Sequence, residues 1–193
     1  YATPGNYNNY IGVPLTLLDA PLAAKWWVIE IGSNNFGEIA ELAKITQPTG
    51  GVITNIGESH LEFLIDTLGV AREKSGLFSG MTQESKVVIP ESILHLDIVE
   101  KEADKAGVEL IKTGQIAFSS IGDRIKFNLF ETDFETVITN PLLLQNLVYS
   151  LMLLRSQGIP VVQLQNATAN LELNLKGRFH TIYNKEWILI DDT

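Results

Sequence analysis

The sequence lacks cysteine entirely, so disulfide bonds and thiolate metal ligands are excluded. It also lacks any apolar run that approaches the roughly 20 residues needed to cross a bilayer. Basic residues are few, with 14 Lys and Arg against 23 Asp and Glu and a net charge of −9. Duplex nucleic acid and anionic membrane surfaces attract basic faces, so neither is an expected partner. The absence of cysteine fits a cytoplasmic location.

Short β-branched runs alternate with helical patterns over the first part of the chain. The predicted strands are residues 26–31, 51–55, 86–89 and 108–112, and the helices between them are 37–44, 70–78 and 90–107. Alternation of this kind is typical of an α/β fold with a doubly wound, mostly parallel sheet and helices on both faces. Residues 1–14 are polar and rich in turn formers, which predicts a loop.

The second part of the chain predicts a small antiparallel addition. Residues 124–130 alternate between apolar and polar side chains and are followed by a turn and by a second strand at 134–139, as in a hairpin. Helices are predicted at 141–155 and 160–173. A further hairpin is predicted at 179–183 and 187–190, so we place a domain boundary near residue 177. Residues 1–176 would form one domain, and 177–193 the start of the next domain or a linker.

Polar side chains with metal-binding ability follow two of the predicted strands. Glu30 ends the first strand, and His60 follows the second after a glycine. Ligands of open α/β sheets bind beyond the carboxyl ends of the strands, and carboxylate with imidazole suits magnesium or manganese beside phosphate. Simpler interpretations stay open: Glu30 could merely reach water, His60 could cap a helix, and Lys74 could be a solvated helix lysine.

Several motifs occur in an order and spacing that resembles the Mur ligases. The resemblance is dense over residues 3–78, thin over 79–176, and returns at 177–193. The motifs are the run from Thr3 to Leu18, Glu30-Ile31-Gly32-Ser33-Asn34, Gly37-Glu38-Ile39, Gln47-Pro48, Thr54-Asn55-Ile56-Gly57, His60-Leu61-Glu62, Gly177-Arg178 and Ile190-Asp191-Asp192-Thr193.

The resemblance implies the P-loop-like central domain of an ATP- and magnesium-dependent carboxylate–amine ligase. Its partners would be UDP-N-acetylmuramoyl-tripeptide and D-alanyl-D-alanine, which it would join through an acyl phosphate during peptidoglycan precursor synthesis in the cytoplasm. A monomer is expected, with no nucleic acid partner and no membrane span.

The resemblance also assigns roles to individual residues. Magnesium would be held by Glu30, by His60 and by Lys74 after the lysine amine has reacted with carbon dioxide to form a carbamate. The remaining roles are nucleotide binding by Asn55, Asn146, Arg178 and Asp192, with Asn146 at the adenine, and substrate binding by Asn6, Asn8 and Asn9.

Three departures from the family pattern keep other functions open. The phosphate-binding loop Gly-x-x-Gly-Lys-Thr is absent, and we expect it upstream of Tyr1, in a longer protein of which this chain is an inactive fragment. The family's Gly-x-His/Tyr-Asn run is replaced by residues that include Asn140, Leu142 and Leu143, and Pro90-Glu91-Ser92 replaces an Asn-x-Asp element. The alternatives are a related ligase of the polyglutamate or cyanophycin type, and a catalytically inactive binding module.

Overall fold

A computed structural model describes residues 1–58, 64–171, 180–183 and 188–191. The chain divides into two compact units. The first unit consists of Tyr1–Gln115 and Asn146–Ile159, and the second of Ile116–Gln145 and Pro160–Thr193. The candidate residues that the structure describes all fall in the first unit.

The first unit contains the parallel sheet. Its strands run in the order β1-β2-β3, with Gly51 opposite Val87 and Val88 opposite Ile111. The elements of this unit are α1 (Gly12–Asp19), α2 (Glu38–Thr46), β1 (Gly50–Val52), α3 (Thr67–Ser75), a 3₁₀ helix (Gly76–Gly80), β2 (Lys86–Pro90), α4 (Leu96–Ala106), β3 (Glu109–Thr113) and α5 (Pro141–Ser156), whose beginning belongs to the second unit.

The central strand β2 anchors this sheet. Val87, Val88 and Ile89 are all completely buried. A continuous buried apolar run is typical of a parallel strand that is covered on both faces. Each of these side chains contributes about 1.5–3 kcal/mol to the free energy of unfolding.

The prediction that residues 26–31 form a strand of the parallel sheet is wrong. The structure has an extended segment there whose backbone bonds to the first residues of the chain. The amide of Val28 donates to the Tyr1 carbonyl at 2.9 Å, and its carbonyl accepts from the Thr3 amide at 2.9 Å. Among the described residues, this pairing amounts to a single parallel bridge, between Ala2 and Val28. Pro4 has no N–H to continue a ladder, and Gly5 turns the chain away with a φ of +55°.

Other boundaries differ from the sequence predictions. The helix predicted at 90–107 begins only at Leu96, because Pro90 is the last residue of β2. The strand predicted at 51–55 is shorter and covers Gly50–Val52. The loop predicted at 1–14 ends earlier, since α1 begins at Gly12, where the Asn9 side chain accepts from two backbone amides.

The second unit contains the antiparallel part. The predicted hairpin at 124–139 is confirmed, and it carries an additional strand. Its elements are β4 (Phe118–Ile121), β5 (Arg124–Leu129), β6 (Thr132–Thr136), α6 (Val161–Ala169), β7 (His180–Tyr183) and β8 (Ile188–Asp191), with β7 and β8 forming the second predicted hairpin. Phe130 and Glu131 join β5 to β6 with φ values of +55° and +58°, as in a type I′ turn.

The predicted fold class is therefore confirmed: an α/β fold with a parallel sheet and a small antiparallel annex. Over the described ranges, no helix has both the length and the apolar character needed to cross a membrane.

Aromatic packing holds the antiparallel sheet together, which provides a test of the second unit. The ring centroids of Phe127 and Phe134 lie 5.4 Å apart, and Phe134 is 1% exposed. We expect Phe134→Ala to lower the free energy of unfolding by about 3–5 kcal/mol, because the cavity cannot collapse fully. Urea denaturation followed by circular dichroism measures the change.

The matched control is Ile121→Ala in the same sheet, where the side chain is 54% exposed. It should change the free energy of unfolding by less than about 1 kcal/mol. Equal losses in the two variants would contradict the assignment of Phe134 to the core of this sheet.

Candidate active site

Glu30 is held in place by the loop near the start of the chain. Its backbone amide donates to Thr3 Oγ1 at 2.8 Å, and its side-chain Oε1 accepts from Asn8 Nδ2 at 2.7 Å. The Asn8 carbonyl also accepts from the Gly32 amide at 2.8 Å. A Cβ on Gly32 would lie 2.9 Å from Asn8 Nδ2, so a larger residue there would push the Asn8 side chain from its present position. These contacts fix the Glu30 carboxylate at an exposed position.

The other two asparagines of the loop differ in what they do. Asn9 Oδ1 accepts from the amides of Ile11 and Gly12 at 3.1 and 3.0 Å, which caps the start of α1. Asn6 has an exposed side chain. The loop is also tied to α2, because the Tyr10 hydroxyl donates to Glu41 Oε2 at 2.8 Å. This hydrogen bond raises the pKa of Tyr10 to about 12.

Lys74 lies on α3 and reaches the segment that follows β1. Its Nζ donates to the Asn55 carbonyl at 2.5 Å. The helix that carries it is capped by Asp66, whose side chain accepts from the Gly69 amide at 2.7 Å. Burial lowers the pKa of the Lys74 ammonium below its usual value. A lowered pKa increases the fraction of neutral amine near pH 7, and the neutral amine is the form that reacts with electrophiles.

The buried carboxylate of Glu73 is the residue that the sequence analysis missed. It accepts from the Gly37 amide at 2.6 Å and from the Ile39 amide at 2.8 Å, at the start of α2. The spacing from the buried Val70 places it on the inner face of α3, and that spacing is the signal that could have found it.

A cavity of about 580 Å³ in the first unit brings several of these elements together. Lys74 lines it, as do Ile29 and Ile31 on either side of Glu30. Much of the remaining lining comes from residues 46–54, which include strand β1. Lys74 and the segment that carries Glu30 therefore border the same cavity.

The other candidate residues are less constrained. Asn146 lies on α5 with an exposed side chain, and its carbonyl accepts from Ser150 Oγ at 2.9 Å. Asn140 Oδ1 accepts from the amides of Leu142 and Leu143 at 2.9 and 3.2 Å, at the start of α5. His60, Arg178 and Asp192 lie outside the described residues, so their roles stay predictions.

Among the described residues, Glu30 contributes a single exposed carboxylate to a possible metal site. Within the part of the chain that the structure describes, no three acidic or histidine side chains are grouped as a complete metal cage. Magnesium commonly binds through one or two carboxylates together with phosphate oxygens and water. Oε1 of Glu30 accepts from Asn8, and no described residue donates to Oε2.

Comparison with protein families gives one clear match. The model of the Mur ligase middle domain matches residues 1–185. The UDP-N-acetylmuramoyl-tripeptide–D-alanyl-D-alanine ligase of Haemophilus influenzae is 32% identical over 198 residues, covering 99% of this chain and 43% of the relative. The ligase of the same name from Escherichia coli is 39% identical over 87 residues, covering 45% of this chain and 19% of the relative.

Solved structures show the same fold. MurF from Acinetobacter baumannii covers 100% of this chain and 44% of its own, with a TM-score of 0.87 at 23% identity. The MurF ligase of Thermotoga maritima, solved in complex with ADP, covers 100% of this chain and 46% of its own, with a TM-score of 0.81 at 25% identity. This chain thus spans less than half the length of these relatives. Since the family model matches nearly its whole length, the chain belongs to the Mur ligase middle-domain family.

Proposed function

We propose that this chain is the ATP-binding part of a ligase that joins D-alanyl-D-alanine to UDP-N-acetylmuramoyl-tripeptide. The observation that carries the proposal is the 32% identity to the Haemophilus influenzae ligase over 99% of this chain. Residues 1–176 would form the ATP-binding domain, and 177–193 the start of the next domain or a linker. The reaction would take place in the cytoplasm as a step of peptidoglycan synthesis.

The curated relatives favour this substrate pair over a polyglutamate-type reaction. Folylpolyglutamate synthase from Thermotoga maritima covers 86% of this chain with a TM-score of 0.62 at 17% identity, a likeness that concerns the fold alone. The ligases named for D-alanyl-D-alanine include one from Bacillus subtilis, which is 39% identical over 88 residues.

The proposed reaction has two balanced steps. The carboxylate of the tripeptide attacks the γ-phosphorus of ATP, and ADP leaves with the electrons of the broken phosphoanhydride bond. The amine of D-alanyl-D-alanine then attacks the acyl carbon, phosphate leaves, and the amine loses a proton as the amide forms. Both steps bring anions together, so they need fixed positive charge in a cleft of low dielectric. Magnesium, when bound, supplies part of that charge.

Glu30, His60 and Lys74 would hold the metal in this proposal. The hydrogen bond from Asn8 keeps the Glu30 carboxylate in one orientation, with Oε2 available. The bond from Lys74 to the Asn55 carbonyl holds the amine beside the segment that follows β1. Reaction of the neutral amine with carbon dioxide, with loss of a proton, converts this cation into a carbamate anion that can face a metal. Burial favours that step because it lowers the pKa of Lys74.

The nucleotide and substrate roles complete the proposal. Asn55, Asn146, Arg178 and Asp192 would contact the nucleotide. Asn6, Asn8 and Asn9 would line the substrate side, where Asn8 and Asn9 are already ordered by Glu30 and by α1.

Lys74→Ala tests the lysine in the complete protein that carries this chain. We expect kcat to fall at least about 100-fold at saturating magnesium, because the variant cannot form the carbamate. Added formate should restore part of the rate, since it can replace the missing carboxylate. Amide formation in a coupled assay for phosphate release measures both effects. Turnover at the wild-type level would show that Lys74 is only a solvated helix lysine.

Glu30→Gln tests the metal site with little change in shape. The amide oxygen can still accept from Asn8, but the negative charge is lost. We expect the magnesium concentration for half-maximal activity to rise by about tenfold or more. Glu41→Gln on α2 is the matched control, because Glu41 bonds to the Tyr10 hydroxyl and has no assigned metal role. A normal magnesium requirement in Glu30→Gln would remove Glu30 from the metal site.

The 193-residue chain by itself is expected not to turn over ATP. It holds no Gly-x-x-Gly-Lys-Thr loop, whose amides and lysine would hold the phosphates during transfer. Release of ADP from ATP, with and without both substrates, measures this directly. Magnesium-dependent turnover above the rate of a heat-denatured sample would contradict the expectation.

A further inference from the structure

The geometry points to Glu73 as a positioning residue that fixes both Lys74 and the loop after Glu30. Glu73 would act without touching a substrate, by holding the start of α2 against α3. This inference rests on the proposed role of Lys74. It assigns a role to Glu73, for which the resemblance to the Mur ligases implies none.

The Glu73 carboxylate is buried and fully engaged. The residue is 4% exposed, and each of its carboxylate oxygens accepts a hydrogen bond from a backbone amide. Oε2 accepts from Gly37 at 2.6 Å, and Oε1 accepts from Ile39 at 2.8 Å. A buried carboxylate is costly unless hydrogen bonds compensate. Bonds to a charged acceptor are stronger than neutral ones, and the start of a helix favours negative charge. The two bonds therefore form a firm link between α2 and α3.

Lys74 follows Glu73 directly, so the link sets the position of the lysine. Successive side chains of a helix point about 100° apart. Glu73 faces the start of α2, and Lys74 faces the Asn55 carbonyl. A rotation or a slide of α3 that moved Lys74 away from Asn55 would break the Glu73 bonds as well. The carboxylate thus fixes the rotation and the height of the helix that carries the lysine.

The same link holds the loop that follows Glu30. This loop ends at Gly37, whose amide donates to Glu73. Two residues of the loop donate to Glu38, the first residue of α2: the Asn34 amide at 2.7 Å and Asn35 Nδ2 at 2.9 Å. Glu38 therefore holds the middle of this loop, and Glu73 holds its end at Gly37. One buried carboxylate connects the two segments that carry the proposed metal ligands Glu30 and Lys74.

The contact between α2 and the α3 region does not depend on Glu73 alone. The 3₁₀ helix after α3 packs so closely on α2 that a Cβ on Gly80 would lie 2.0 Å from the Ala43 carbonyl oxygen. In the same region the Ser79 hydroxyl is shared between two carbonyls, that of Gly76 at 2.8 Å and that of Ala40 on α2 at 3.1 Å. Loss of the Glu73 bonds would therefore loosen the end of the contact that lies near Lys74, while the far end stays packed. A change at Glu73 is therefore expected to shift Lys74 without unfolding the contact between α2 and the 3₁₀ helix.

A double-mutant cycle in the complete protein tests the inference. The variants are Glu73→Gln, Lys74→Ala and the two combined, with Ser79→Ala as a control that removes another bond between the same segments. The readouts are kcat, the KM for ATP and the Lys74 carbamate signal in a ¹³C NMR spectrum after incubation with ¹³C-bicarbonate. Circular dichroism verifies that each variant folds.

We expect Glu73→Gln to lower kcat by about 10- to 100-fold and to weaken the carbamate signal, since small misplacements carry costs of this order. In the Lys74→Ala background, the same change should lower kcat less than about twofold, because the two residues act as one unit. Ser79→Ala should keep the carbamate signal at the wild-type level. If Glu73→Gln does not fold, Glu73→Asp replaces it under the same criteria, because it keeps the charge but cannot reach both amides.

The outcomes separate this inference from the proposed function. A wild-type carbamate signal in Glu73→Gln, or losses that multiply in the double variant, would overturn the positioning role of Glu73. Loss of the signal in Ser79→Ala to the same extent would also overturn it, since any loosening of the contact would then suffice. Wild-type turnover in Lys74→Ala would overturn the proposed function of the lysine, and the positioning role with it.

Discussion

The complete burial of Val87, Val88 and Ile89 in strand β2 is the constraint on which the first unit depends. β1 and β3 satisfy the backbone groups of this strand, and Val87 and Ile89 pack in one buried cluster with residues of the helices, such as Val70 and Val99. Parallel pairing brings the ends of these strands to one edge of the sheet. Residues after β1 thereby meet the helix α3, and Lys74 reaches the Asn55 carbonyl. The position of the proposed site therefore depends on the packing of Val87, Val88 and Ile89.

Local patterns were sufficient to predict most helices and strands. The apolar run of β2 and the spacing in α2 lie within short windows, and the structure confirms both. The segment 26–31 has the same local character as β2 but is not a strand of the sheet. Its backbone partners are residues 1–3, and Pro4 and Gly5 end that pairing. Local sequence predicts that a segment is extended. It does not predict which other segment will pair with it, because that depends on residues far away in the chain.

The candidate site shows the same division. Glu30 was predicted from its place at the end of a strand pattern and Lys74 from the order of motifs, and the structure places Lys74 and the neighbours of Glu30 along one cavity. The orientation of each side chain depends on contacts that are distant in sequence, such as Asn8 with Glu30. Glu73 was overlooked because a glutamate on a helix usually faces water. Only the fold reveals that the start of α2 meets it and removes it from solvent.

The two proposed ligands are held by different kinds of partner, and this has an evolutionary consequence. Lys74 bonds to a backbone carbonyl, which every residue type would offer at position 55. Glu30 bonds to the side-chain amide of Asn8, which lies close to Gly32. A substitution at position 55 would leave the acceptor of the Lys74 bond in place. A substitution at position 8 would remove the side-chain donor to Glu30, so selection for this contact would act on positions 8 and 30 as a pair.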